Sequence, residues 1–315
     1  MTFTGDRVGH KDLKEYAQHL RRDRSYGAAL RRYDAASRRK VYLLNLSLLA
    51  TLLIWMASDE NSWLIAPLIL VNGLFALPYL RVFIHSEAHW GIGANWLQTG
   101  YLRYLAFAAY QVPFEGYRLG HFAHHKYDND VPERGLANDR QSTYLYSPRG
   151  NPINFLVWAL HYLLVYQYLH QYLMVIRKAS AKKIAALAVQ TLIVLAIDVG
   201  LALISRSFFL EIFLPSLGIA WLGSSIVLYM MHNVNKDDAI HHHSVNSYSR
   251  FFNRFGDNDG LHIVHSMFPF LHPYHTEAVD RLLRKDLHPS QVIEGHYVTG
   301  YLRQLLTRRS TYATR

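Results

Sequence analysis

Residues 184–204 read IAALAVQTLIVLAIDVGLALI, a run in which Asp198 is the one charged residue. At 1.5 Å of rise per residue, a helix of about twenty such residues crosses the roughly 30 Å hydrocarbon core of a bilayer. Three further runs resemble it. Residues 208–231 (FFLEIFLPSLGIAWLGSSIVLYMM) follow after a three-residue link, and residues 41–57 (VYLLNLSLLATLLIWMA) are joined to 63–80 (WLIAPLILVNGLFALPYL) by the polar SDENS. A backbone in hydrocarbon must satisfy its own hydrogen bonds, which makes each span a helix. The pattern predicts an all-α integral membrane protein with four transmembrane helices in two hairpins.

Charge distribution orients the hairpins. The net charge of +10 resembles that of a nucleic-acid binder, but the basic residues flank apolar runs, and we expect no nucleic-acid partner. Eleven Lys and Arg fall within residues 1–40, none lies between the first two runs, and Arg206 alone lies between the last two. The positive-inside rule then puts both termini and the 85–183 connection in the cytoplasm, with the inner membrane of a bacterium as the expected location. The chain divides into a basic N-terminal segment (1–40), a membrane domain (41–280) and a basic C-terminal tail (281–315). Tyr101–Phe114 is too short to span and is expected to dip into the interface or pack on the spans. Ile153–Ile176 carries His161, Gln167, His170 and Gln171 with five tyrosines, and reads as an interfacial amphipathic helix.

The chain has no cysteine and nineteen histidines, thirteen of them in four clusters. The second run ends in His85-Ser-Glu-Ala-His89, and Gly120-His121-Phe-Ala-His124-His125 follows. The fourth run ends at His232, ahead of His241-His242-His243. Last comes Gly260-Leu-His262-Ile-Val-His265-Ser266-Met-Phe-Pro269, with His272 and His275 close behind. Histidines at i, i+3 and i+4 share a helix face, and neutral imidazole is a good ligand for Fe, Zn and Cu. A structural zinc site takes four ligands and a catalytic one three, so seven or more box histidines point to two metal ions. Glu87, Asp128, Asp130, Asn233, Asp257, Asp259 and Glu277 stand near enough in sequence to accept the second ring N–H and fix the tautomers.

HSEAH, then GHFAHH about thirty residues on, a membrane hairpin and GLHIVHSMFP together resemble the membrane fatty acid desaturase and hydroxylase superfamily, whose boxes read HxxxH or HxxxxH, HxxHH, and HxxHH before an FP. The resemblance covers residues 41 to about 280. It implies a non-haem centre of two Fe ions at the cytosolic mouth of the helix bundle, held by His85 and His89, by His121, His124 and His125, and by His262 and His265. His232 corresponds to the family's ligand at the cytosolic end of the fourth span. The departure is Ser266, which stands where the last third-box histidine belongs. His241, His242, His243, His272 and His275 are the candidates to replace it.

Such a centre oxidises an unactivated C–H bond with O2, giving an alkene or an alcohol. The membrane setting argues for a fatty acyl, lipid or acyl-carrier-bound substrate. Phe83, Tyr229 and Met230 are candidates to line its channel, and Arg118 and Lys126 to hold a phosphate or headgroup. A charge inside a span is costly, which marks Asp198 as a functional candidate. With no GxGxxG after a strand and no cysteine, electrons are expected from a ferredoxin-like or other external donor. The competing readings are a membrane zinc hydrolase, which would leave half the boxes without a task, and a metal transporter, whose ligands belong near the bilayer midplane.

Overall fold

The computed structural model describes residues 9–127, 154–234 and 239–312. Its helices are α1 (His10–Arg22), α2 (Arg24–Ala57), α3 (Ser62–His89), α4 (Trp96–Tyr101), α5 (Phe114–Tyr127), α6 (Phe155–Leu160), α7 (Gln171–Lys178), α8 (Ala181–Ile204), α9 (Phe208–His232), α10 (Arg250–Phe255), α11 (His262–Met267), α12 (Pro273–Leu283) and α13 (Tyr297–Tyr312). The strand content among the described residues is one parallel pairing, Asn246–Ser247 with Val292–Ile293, so the chain is all-α in architecture. α2, α3, α8 and α9 are long and apolar enough to cross a membrane, and they contain the four apolar runs. On α8, Leu192, Leu195, Val199 and Leu203 form an exposed stripe; a row of large apolar side chains this long belongs against lipid.

The chain forms two compact units. In the first, residues 34–124 and 159–225, polar side chains within the spans satisfy one another. Asn72 Nδ2 donates to Thr51 Oγ1 at 3.0 Å, and Trp55 Nε1 donates to Ser207 Oγ at 3.1 Å. A Cβ at Gly73 would stand 2.9 Å from the Ser216 carbonyl oxygen, so glycine lets α3 and α9 approach closely. π-helical turns interrupt the helix at Asn72–Ala76 and at Phe208–Phe213. The 101–114 stretch packs on α3 and α8 through short π and 3-10 turns. It is pinned by Tyr110 donating to Ser224 Oγ at 3.0 Å. Gln111, in the left-handed region at φ 65°, donates to Asp198 Oδ1 at 2.6 Å, which gives the span carboxylate a partner. Within 153–176 the helical backbone is continuous, with π-helical turns over His161–His170 joining α6 to α7.

In the second unit, residues 1–33, 125–158 and 226–315, the described N-terminal residues are part of the core. α1 is amphipathic: Leu13, Ala17 and Leu20 are buried while Lys11, Lys14, Arg21 and Arg22 are exposed. The apolar stripe packs with Ile263, Val264, Phe268 and Leu271 and with Val279 and Leu283 of α12, so it lies directly behind the third histidine box. The segment after residue 281 also reaches the interior. Tyr297 is fully buried, and its hydroxyl donates to the carbonyls of Val245 at 2.7 Å and Gly260 at 3.0 Å. Gln291, equally buried, accepts from the Ile240 N–H and donates to the carbonyls of Ile240, His242 and Ser244.

Asp280 of α12 is buried and accepts from Asn246 Nδ2 at 2.8 Å and from the Tyr248 hydroxyl at 3.0 Å. Burial pushes its carboxyl up to about 6 from 3.8. The folded state therefore binds this proton more tightly than the unfolded chain, and the associated stability, on the order of 2–3 kcal/mol, is lost as pH rises from about 4 to 6. Asp280→Asn keeps the acceptor oxygen and removes the titration. Its melting temperature in detergent should exceed that of the parent at pH 7.5, with the gap closing toward pH 4; a gap independent of pH would contradict this.

Candidate metal centre

The first unit places three box histidines together. α3 carries His85 and His89 one turn apart, and α5 brings His121 to them. The ligand nitrogens of these three lie within 4.8 Å of one another, with His121 Nε2 2.7 Å from His89 Nε2. The rings meet edge to face, with centroids 4.6 Å apart for His85 and His121 and 4.9 Å for His85 and His89. Tyr117 stacks on His121 at 5.5 Å and Trp90 abuts His85 at 5.7 Å, which fixes the imidazole planes. His124, also on α5, is buried.

The second unit repeats the arrangement in pairs. His265 Nε2 stands 2.9 Å from His125 Nε2, and His262 Nε2 stands 3.1 Å from His232 Nε2. His232 is the last residue of α9, while His262 and His265 lie at i and i+3 on α11. Ligand nitrogens 2.0–2.1 Å from one ion and at right angles to each other are separated by about 3 Å. Three separate Nε2–Nε2 approaches at 2.7–3.1 Å fit that spacing. The all-imidazole donor set suits iron, zinc or copper, and these clusters could hold metal ions.

The polar residues beside the boxes take different places. Glu87 is buried and directs Oε1 to Arg103 Nε at 2.6 Å and Oε2 to the Gly93 N–H at 3.2 Å, so it braces the turn after the first box. Glu277 is exposed, Asn233 and Asp259 are half-buried, and Asp257 is buried at φ 53° in the turn ahead of the third box. Asp128 and Asp130 lie outside the described residues. Gly260 permits a tight approach before that box. Its carbonyl accepts from the Ser247 N–H at 2.8 Å, and a Cβ there would stand 2.8 Å from the Ser247 carbonyl oxygen.

None of the five candidate replacements for the missing histidine belongs to the groups with converging nitrogens among the described residues. His241 Nε2 stands 4.0 Å from Asp286, and His242 Nδ1 pairs with Ser244 Oγ at 2.8 Å, while His243 lies ring to ring with His242 at 6.3 Å. His272 Nδ1 accepts from the Tyr274 N–H and caps α12; His275 meets Tyr26 edge-on at 4.7 Å. Ser266 accepts from the Ser244 hydroxyl at 3.3 Å. Of the proposed channel residues, Phe83 and Met230 are buried, and Tyr229 packs on Phe155 and Trp158. Arg118 and Lys126 lie over the rings of Phe122 and Tyr127.

Asn246, Tyr248, Asp280, Gln291 and Tyr297, which converge on the segment before the third box, were not legible as site residues. Gly260 beside the box was the one local signal. A family model described as Fatty acid desaturase matches residues 61–297, the stretch holding every histidine group above. No curated protein matches the chain. His262→Ala should cut bound metal, counted by mass spectrometry on purified protein, by about half or more; an unchanged metal count would contradict a ligand role for His262.

Proposed function

Because the chain belongs to the fatty acid desaturase family, and so is a membrane oxidoreductase with a fatty acyl or lipid substrate and an electron donor, we propose that it carries out O2-dependent desaturation or hydroxylation of an unactivated C–H position at a histidine-held pair of irons. The observation that carries this is the set of three His–His approaches at 2.7–3.1 Å.

The proposed ligands are His85, His89, His121 and His124 in the first unit and His125, His232, His262 and His265 in the second. Bound there, two ferrous ions supply the O2-activating chemistry that an unactivated C–H bond requires. The protein's own part is to hold the imidazole planes against Tyr117 and Trp90 and to keep water from the buried rings. Desaturation balances as –CH2–CH2– plus O2, two electrons and two protons giving –CH=CH– plus two waters.

The two electrons come from a separate redox protein, ferredoxin-like or otherwise, docking on the basic cytoplasmic face. The substrate is an acyl chain, free in lipid or bound to a carrier. We place the four spans in two hairpins, with termini and boxes cytoplasmic and the 153–176 helix at the interface, in a bacterial inner membrane.

Expression in a host lacking the activity, followed by mass spectrometry of lipids and acyl species, should reveal an O2-dependent alkene or alcohol. Two irons per chain are expected, and both product and iron should vanish in His124→Ala and His265→Ala. One zinc per chain with hydrolysis, or full turnover of the purified protein on NAD(P)H alone, would contradict the proposal.

A further inference from the structure

We propose that Asn246 and Asp280 form a positioning clamp that sets the angle of the third histidine box, acting through the backbone of α11 and touching neither metal nor substrate. The inference rests on the ligand roles proposed above for His262 and His265.

α11 is six residues long, His262–Met267, and its N-cap residue Leu261 offers no side-chain acceptor. The first N–H groups of a helix have no partner within it. Asn246 supplies one from elsewhere in the sequence: its Oδ1 accepts from the Ile263 N–H at 2.8 Å. The residue donating that bond lies between His262 and His265, so the rotation of α11 about its axis, which aims both imidazoles, is tied to a side chain seventeen positions away.

The amide of Asn246 is itself held. Its Nδ2 donates to Asp280 Oδ1 at 2.8 Å and to the Tyr248 hydroxyl at 3.3 Å, and that hydroxyl donates to the same Asp280 oxygen at 3.0 Å. These bonds fix which end of the amide faces Ile263, because a flipped amide would present N–H to N–H and N–H-seeking oxygen to carboxylate. Asn246 is fully buried, and its backbone is paired with Val292. The Arg284 guanidinium covers the Tyr248 ring at 3.7 Å. Fully buried and triply bonded, this amide has no freedom to follow a misplaced helix. Asp280 sits on α12, whose apolar face shares the core with Ile263 and Val264. Loss of the clamp therefore leaves α11 packed but free to turn.

The test uses full-length protein in detergent, loaded anaerobically with ferrous iron, and follows iron affinity, hydrogen exchange of the 261–267 backbone and the melting temperature. Asn246→Ala and Asp280→Ala should weaken iron binding by roughly tenfold to a hundredfold, the range for partners that orient ligands. Exchange should accelerate at 261–267 while the α8 backbone remains as protected as in the parent. Asp280→Asn, which keeps the acceptor for both donors, should restore affinity to within about threefold of the parent.

Parent-like iron affinity and exchange in Asn246→Ala, or an Asp280→Asn variant as weak as Asp280→Ala, would overturn the clamp. Should Asn246→Ala fail to fold, the Asp280 pair carries the same comparison. A parent protein that binds no iron would overturn the proposed function instead, and faster exchange at 261–267 in the variants would still support the clamp.

Discussion

The spacing between imidazole nitrogens is the constraint on which the rest depends. Neutral rings packed at 2.7–3.1 Å through the same atom type gain at most one shared proton per pair, and a bound cation would make such convergence favourable. Holding the rings there requires rigid supports. α3 and α5 give the first group its geometry through helical repeat alone, with Tyr117 and Trp90 locking the planes. α11 is too short for that. It draws its rigidity from α1 and α12 beneath it and from Asn246, Gly260 and Tyr297 before it.

That difference explains the use of the chain's two ends. Read as flanking basic segments, 1–40 and 281–315 carry an expected role in topology. The structure adds a second one, since Leu13, Ala17 and Leu20 fill the core behind the third box and Tyr297 ties together the two carbonyls that frame its approach. Basic side chains on the outer face of α1 keep their place in solvent while its apolar stripe is buried.

What was legible in the sequence was what local repeat and bilayer thickness dictate. Runs of seventeen to twenty-four apolar residues announce the helices that can span, because hydrocarbon leaves the backbone no other arrangement. The i, i+3 and i+4 spacings announce the boxes for the same kind of reason. Partnerships between distant residues were not legible. Glu87 reads equally well as an acceptor for a box histidine and as the partner of Arg103, and only the fold brings Arg103 to it. Asn246 and Asp280 are separated by thirty-four positions and carry no motif. The HHH run is a further case. Its composition invites a metal, while only the fold shows that His241 stands 4.0 Å from Asp286 and that His242 pairs with Ser244.

X-ray absorption at the iron K-edge on the full-length, iron-loaded protein tests the central claim most directly. The account predicts a first shell dominated by imidazole nitrogen, with the outer-ring scattering of several histidines and a second iron in the next shell. A shell of oxygen ligands with no metal neighbour would contradict it.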